Sequence, residues 1–327
     1  MRIAVTGSIA TDHLMTFPGR FAEQLLADRL DRVSLSFLAD HLDVRRGGVA
    51  ANIAFGLGVL GLRPLLVGAV GADFEPYRVW LKDHGVDTDS VRVSDTLHTA
   101  RFVCTTDEEQ NQIATFYAGA MAEAREIDLH EVFVRTGRPD LVLVSPDDPR
   151  AMLRHTRACR ELGVPFASDP SQQLARLTRD EVLELIDGAT RLFTNEYESA
   201  LLLERSGLTE EQVLERVGSW VTTRGEDGVR IRTASGAELT VPAVPVTAVV
   251  DPTGVGDAFR AGFLAGTARG LPEQYAAQLG CAVAATVLDH AGTQEYRLTR
   301  DALLARLRSA YGPRSEEELS ELLRGLG

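Results

Sequence analysis

Asp251-Pro252-Thr253-Gly254-Val255-Gly256-Asp257-Ala258-Phe259 is the stretch on which the reading of this chain turns. It is a glycine-rich turn that runs straight into a helix pattern, Ala258 to Arg269, and it carries two carboxylates, Asp251 and Asp257. Backbone N–H groups at such a helix start point outward and bind anions, and the helix dipole adds to this. Glycines let a phosphate come close to the backbone. A carboxylate in the first turn beside such a nest is placed to take a proton from a hydroxyl during phosphoryl transfer. Taken alone, the same residues are equally the capped start of an ordinary helix.

Outward from that turn the chain alternates strand and helix. Upstream, Leu141–Ser145, Pro165–Asp169 and Leu192–Asn195 are short apolar runs of the kind that form buried parallel strands, with helix patterns between them. Trp220–Arg224 is another strand, and Gly228 to Val241 predicts a hairpin turning at Ser235-Gly236. Downstream lie helix patterns over Asp257–Arg269, Pro272–Asp289 and Thr299–Ala310, and Ser315 with Glu318 predicts a capping box for a last short helix. Near the N-terminus, Ile3–Ile9 and Pro64–Gly71 predict strands, and Phe74–His84 a helix closed by Gly85. Arg32–Asp40, His98–Thr106 and Gln112–Tyr117 alternate apolar and polar residues, which predicts exposed strands forming a small sheet of their own. The expectation is one α/β domain over residues 1–327, with lid strands inserted at about 13–46 and 98–117.

Composition narrows the function. The 327 residues are 44% hydrophobic and 25% charged, enough for a large core, and 34 basic against 47 acidic residues give a formal charge of −13. With no basic stripe, that balance argues against nucleic acid or an anionic membrane as partner. No apolar stretch reaches membrane-spanning length, and the apolar run at the N-terminus is too short for a signal peptide, which predicts a cytoplasmic protein. Cys104, Cys159 and Cys281 are far apart and predict neither a disulfide framework nor a zinc site. A single glycine, Gly7, after the first strand does not make the G-x-G-x-x-G of a dinucleotide-binding dehydrogenase.

Four loops that follow predicted strands carry candidate chemistry. They are Ser8 with Asp12, the run Gly47-Gly48-Val49-Ala50-Ala51-Asn52, Asn195 with Glu198, and Thr223-Arg224-Gly225-Glu226-Asp227-Gly228. Each alone has an ordinary explanation: a glycine pair before a helix is a tight turn, and Asn195 can simply cap the helix that contains Glu198. Taken with 251–259, they resemble the ribokinase-like carbohydrate and nucleoside kinases. One signature of that family runs from Gly47-Gly48 through Ala50 and Asn52 to Gly61 and Gly71, and the second is Asp251 to Phe259 followed by Ala261-Gly262-Phe263. Its N-x-x-E is Asn195 to Glu198, and its T-x-G-x-x-G is Thr223 to Gly228. Ser8–Leu14, Pro170–Arg176 and Asp251–Asp257 are similar to the bacterial adenosine kinases within it.

The resemblance implies a central, mostly parallel sheet flanked by helices, a small β-sheet lid, and transfer of the γ-phosphoryl group of Mg·ATP to the 5′-hydroxyl of adenosine. It implies Asp257 as general base, with the N–H groups of Gly254, Val255, Gly256 and Asp257 holding the transferring group. Asn195 and Glu198 would position phosphates and Mg²⁺, the metal through water, and Thr223, Gly225 and Gly228 would line the ATP site. Arg176 suits a phosphate by its chemistry. Asp12, Gly48 and Asn52 would bind the ribose hydroxyls, Phe102 and Phe116 would sandwich the purine, Ser8, Gln172 and Gln173 would meet its edge, and Met121 would add an apolar wall. Ser36 would reach a neighbouring subunit's site in a homodimer formed through the lid. In some relatives a monovalent cation, K⁺, is held by backbone oxygens of residues matching Asp251, Thr253 and the loop near Gly292; here Tyr296 stands near where some relatives have a small hydroxyl residue. Pro252 and Val255 also depart from the family, Pro252 by lacking an N–H. A kinase for another nucleoside or a sugar, and a non-catalytic ligand-binding relative, remain open; the retained Asp257 argues against the latter.

Overall fold

A computed structural model describes residues 1–25 and 34–326. In chain order the elements are β1 (Ile3–Thr6), β2 (Ala10–Thr16), α1 (Phe21–Gln24), β3 (His41–Gly47), α2 (Val49–Val59), β4 (Leu65–Val67), β5 (Ala69–Val70), α3 (Glu75–Asp83), β6 (Arg92–Val93), β7 (Ala100–Thr106), β8 (Gln112–Tyr117), α4 (Leu129–Thr136) and β9 (Leu141–Val144). They continue with α5 (Pro149–Glu161), β10 (Phe166–Ser168), α6 (Arg179–Ile186), β11 (Arg191–Asn195), α7 (Glu196–Ser206), α8 (Glu210–Leu214), β12 (Trp220–Thr223), β13 (Val229–Arg232), β14 (Glu238–Val241), α9 (Val255–Ala268), α10 (Glu273–Leu288), α11 (Arg300–Tyr311) and α12 (Pro313–Ser320).

The main sheet runs β14-β13-β12-β11-β10-β9-β1-β4, parallel from β4 to β12 and closed by the antiparallel hairpin β13–β14. Strand alternation divides its core in two. Ile3, Val5, Leu141 and Leu143 pack on one face with α2, α9 and α10, while Ala4, Val142 and Val144 pack on the other with α4, α5 and α6. Both faces are therefore dry, which is why these strands read as continuous apolar runs. The chain leaves β1 for β4 on one side and later returns to β9 on the other, so the carboxyl ends of β1 and β9 flank a topological switch point.

Above those ends stands a second sheet, β3-β2-β7-β8, formed by the two insertions. The expected hairpin of His98–Thr106 with Gln112–Tyr117 is present as β7 and β8. The strand expected over Arg32–Asp40 is not. Arg32 and Val33 lie outside the described residues, and 34–39 has no regular structure. Phe37 explains why: its ring sits 5.1 Å from Phe17 and 4.8 Å from Phe21, so it plugs a local aromatic cluster instead of one face of a sheet. The lid is completed by β2 and β3. Their inward positions carry Asp12, Asp43 and Arg45, so they lack the apolar alternation that marks a strand.

Two smaller expectations also change. The strand over Pro64–Gly71 is broken at Gly68 into β4 and β5, and β5 pairs with β6. The last helix starts at Pro313 directly after Gly312, and Ser315 lies inside its first turn with Oγ donating to the Tyr311 carbonyl at 3.4 Å. The proline sets the helix start three residues earlier than the serine would as N-cap, so Ser315 caps nothing. No helix among the described residues is long and apolar enough to cross a membrane.

Candidate active site

The start of α9 divides two cavities. Gly254, its N-cap, has φ +75°, and a side chain there would place Cβ 2.8 Å from Thr293 Cγ2; only glycine turns the chain into the helix at this point. Among the described residues, the N–H groups of Gly254, Gly256 and Asp257 meet no acceptor, and that of Val255 only a long 3.5 Å contact to Pro252 O. Outward-pointing donors of this kind form an anion site when a helix dipole stands behind them. Gly254 and Asp257 face a cavity of about 810 Å³ under the lid. Val255 and Gly256 face a smaller one of about 140 Å³.

The larger cavity gathers the expected acceptor-side residues. On the lid, Arg45, Asp12, Phe102 and Phe116 are successive register partners across β3, β2, β7 and β8, so they share one face, and Asp12, Phe102 and Phe116 line the cavity. From the main body come Ser8 after β1, Gly48 and Asn52 at the start of α2, Met121 after β8, and Gln172, Gln173 and Arg176 after β10. Thr253 and Thr293 close the wall near Gly254. Gly48 has φ +93°, and a Cβ would lie 2.6 Å from Ile9 Cα, so α2 can begin this close to β1 only with glycine there. Ser8 Oγ accepts the Val49 N–H at 3.0 Å and so helps cap α2 while facing the cavity. Gln173 Oε1 is buried without a partner among the described residues. Ser36 is exposed and does not line this cavity.

The smaller cavity is lined by Thr223, Gly225 and Gly228 and by apolar residues of α9 and α10, among them Phe259, Ala284 and Leu288. Asn195 and Glu198 do not line it. Asn195 Oδ1 accepts the Glu198 N–H at 2.8 Å, and Glu198 Oε2 accepts the Asn195 N–H at 2.8 Å, a reciprocal cap on α7. Ser171 Oγ donates to Glu198 Oε1 at 2.9 Å. The capping role is thus realised, and it holds the Glu198 carboxylate in a fixed, buried orientation. Among the described residues no three His, Cys, Asp or Glu side chains come together as a metal cage. That donor set fits a Mg²⁺ brought in by a nucleotide and touched through water, since Mg²⁺ sheds its water reluctantly.

The pfkB family carbohydrate kinase profile matches residues 7–300. The chain belongs to that family. It is 30% identical over 264 residues to the nucleoside kinase of Methanocaldococcus jannaschii, covering 80% of this chain and 85% of that one. It is 34% identical over 256 residues to the nucleoside kinase of Methanothermobacter thermautotrophicus, with 76% and 80% covered. The ligand-free structure of Burkholderia thailandensis nucleoside kinase is similar with a TM-score of 0.84 at 36% identity, covering 93% of this chain and 99% of that one. The complex of that enzyme with inosine gives 0.82 at 36% identity, with 95% and 98% covered. The ribokinase-like fold, with its parallel sheet, flanking helices and small second sheet, is the one expected from the sequence.

In this pfkB-family kinase the electrostatics separate the carboxylates. Burial pushes Asp257 up to about 7; the Asn52 hydrogen bond and Arg260 pull it down, and Asp169 and Glu198 push it further up. Burial likewise pushes Asp12 up to about 6, against Arg45 and with Asp251. Asp251 moves the other way: burial opposes ionisation, but hydrogen bonds from Thr253 and Gly292 and the Arg45 charge prevail and hold it below the usual carboxylate range.

Supporting residues that the motifs did not indicate complete the site. Asn52 Nδ2 donates to Asp257 Oδ2 at 2.8 Å. Asn52 Oδ1 in turn accepts from Gln294 Nε2 at 2.9 Å and lies 2.9 Å from Thr293 Oγ1. Trp80 Nε1 donates to Gln294 Oε1 at 3.2 Å, which orients that amide. Beneath α9, Arg260 makes a two-pronged pair with Asp169, 2.7 Å from Nη2 to Oδ1 and 2.6 Å from Nε to Oδ2, and its Nη1 donates to Gly256 O at 3.0 Å. Arg260 thereby fastens the first turn of α9 to the end of β10.

Proposed function

We propose that the protein is an ATP-dependent nucleoside kinase that phosphorylates the 5′-hydroxyl of adenosine, giving AMP and ADP, a purine-salvage reaction. The observation that carries this is the division of two cavities by one helix start. An acceptor in the larger cavity and a nucleotide in the smaller one meet at the free N–H groups of residues 254–257. Asp257, beside that point, takes the proton of the hydroxyl as the oxygen attacks the γ-phosphorus and the bond to ADP breaks. The N–H groups of Gly254, Val255, Gly256 and Asp257 hold the negative charge that develops, a role in which removing a donor typically costs about 3–4 kcal/mol. Thr223, Gly225 and Gly228 seat the nucleotide, Asn195 and Arg176 approach its phosphates, and Glu198 would hold a nucleotide-borne Mg²⁺ through water. Bound Mg²⁺ would neutralise phosphate charge.

Two neighbouring aromatics on the cavity wall support a base in the acceptor cavity over a bare sugar. Phe102 and Phe116 stand side by side on the inner lid face, where base stacking contributes about 1–3 kcal/mol. Ser8, Gln172 and the unpartnered Gln173 amide supply polar contacts for a purine edge, and Met121 an apolar wall. Asp12, Gly48 and Asn52 receive the ribose. Inosine bound to the Burkholderia relative makes a 6-oxopurine nucleoside the second reading. On the outer lid face Leu42, Val44 and Ile113 are exposed. That patch supports a homodimer through the lid, with Ser36 approaching the partner's cavity; sedimentation as a monomer at micromolar concentration would exclude it.

The deciding test is a phosphorylation screen with Mg·ATP over adenosine, inosine, pyrimidine nucleosides, ribose and fructose phosphates. Adenosine turned over to AMP with the highest kcat/KM is the expected result. Preference for inosine would move the substrate within the nucleosides, and turnover of sugars alone would overturn the nucleoside reading.

A further inference from the structure

Arg45 lies on the inner face of the lid, in register with Asp12, at the point where β3 passes over the loop 251–254. Its Nη1 donates to Asp251 Oδ2 at 2.9 Å and its Nε to Asp43 Oδ2 at 2.6 Å. Asp251 Oδ2 also accepts the Gly292 N–H at 3.0 Å, and Oδ1 accepts the Thr253 N–H at 2.9 Å. The carboxylate that leads into the anion site is therefore met by three donors, one of them a full positive charge. The stem of Arg45 lies along the second loop as well: a Cβ on Gly292 would be 3.4 Å from its Cδ. Next to it, Arg46 pairs with Glu295 at 3.2 Å and its guanidinium covers the Trp80 ring at 4.0 Å. The lid is thus fastened by consecutive arginines to the two loops, 251–254 and 291–295, that flank the anion site.

This arrangement does not fit the monovalent cation that the family resemblance implies near Asp251. A cation on the backbone oxygens of these two loops would stand beside a guanidinium that cannot lose its charge, next to a carboxylate whose oxygens are already taken by three hydrogen-bond donors and cannot turn to it. We propose that Arg45 takes the place of a monovalent cation, supplying from the lid the positive charge that holds Asp251 and the start of α9 in position, so that transfer needs no K⁺. Arg45 acts through Asp251 and Gly254 and is a positioning residue; it does not line the acceptor cavity. Consequently the anion site is fully held only when the lid strand is in place, which couples lid position to turnover.

The inference rests on the kinase reading, and the experiment keeps the two apart. Wild-type protein is assayed with Mg·ATP and adenosine in matched K⁺, Na⁺ and tetramethylammonium salts. Equal rates within about twofold are expected, with no shift of the melting temperature between the salts. Arg45→Ala should keep the melting temperature of the wild type to within a few degrees, because its side chain is part-exposed. Its kcat should fall roughly tenfold to a hundredfold with a smaller change in the KM for nucleoside, as expected for loss of a charged hydrogen-bonded contact. Added guanidinium at millimolar concentration, or K⁺, should restore part of that kcat, and Arg45→Lys should retain most of it. An active wild type that needs K⁺, or an Arg45→Ala variant with wild-type kcat, overturns the inference and leaves the kinase reading standing. Absence of any nucleoside or sugar phosphorylation by the wild type would instead remove the reading beneath it.

Discussion

Replacing Asp257 by asparagine should move activity and stability in opposite directions. The carboxyl is part-buried against the main body, and its surroundings raise its pKa from 3.8 to about 7. Because Asn52 Oδ1 is occupied by Gln294 and faces Thr293, Asn52 can present only its N–H to residue 257. An asparagine there keeps that hydrogen bond through its own oxygen, so the geometry survives and only the charge is lost. A carboxyl whose pKa rises on folding contributes stability that is complete below the unfolded value and is lost as pH climbs through the folded one. The window is therefore about pH 4 to 7. About three pKa units at ~1.36 kcal/mol each set an upper limit near 4 kcal/mol; with one side of the carboxyl open to the cavity, about half of that is the expected size. The variant never ionises, so in the nucleoside-free protein it should exceed the wild type by about 2 kcal/mol at pH 8 and by much less at pH 4.5. Urea melts at the two pH values measure this. Turnover should fall by about 10²–10⁴-fold with adenosine binding retained by calorimetry, and wild-type kcat/KM should rise with pH through about 7 as the base ionises. A variant with near wild-type turnover, or one whose stability gap does not widen with pH, would refute the assignment of the proton-accepting role to Asp257.

Phe102→Ala should raise the nucleoside KM by about 5- to 150-fold, the equivalent of roughly 1–3 kcal/mol of stacking, while kcat at saturation changes less; an unchanged KM in steady-state kinetics argues against a base stacked on the lid aromatics. Gly254→Ala forces a side chain into φ +75° and against Thr293, and should cut kcat by about 5- to 30-fold through about 1–2 kcal/mol of strain at the start of α9. Normal turnover by that variant would mean that the loop is not held as described. Arg260→Met leaves Asp169 buried and unpaired and should cost about 3–5 kcal/mol in urea unfolding; a loss below about 1 kcal/mol would show the pair to be dispensable.

What the sequence disclosed and what it hid follow from how far each interaction reaches along the chain. Asp257, the glycines around it and Thr223–Gly228 are legible because a glycine-rich turn into a helix is local: its outward donors, its φ angles and its helix start lie within nine residues of one another. Phe102 and Phe116 are legible for a related reason, since a hairpin brings neighbours in sequence into register. The strands that complete the lid were hidden because their inner face serves the site. A strand carrying Asp12 and another carrying Asp43 and Arg45 cannot also carry the apolar alternation by which strands are recognised. The supports of the site were hidden because their partners are remote. Arg260 meets Asp169 across 91 positions, Arg45 meets Asp251 across 206 and Gln294 meets Asn52 across 242, and no local pattern encodes such pairs. Arg260 is the clearest case. In the helix run Asp257-Ala258-Phe259-Arg260-Ala261-Gly262-Phe263 an arginine reads as the exposed face, yet it is buried, because the loop after β10 brings a carboxylate beneath the helix. An ion pair of that kind contributes little net stability compared with apolar residues of the same size. Its place beneath the start of α9 is better accounted for by direction than by energy, since its third contact, to Gly256 O, fixes the turn whose N–H groups would hold the transferring group in the proposed reaction.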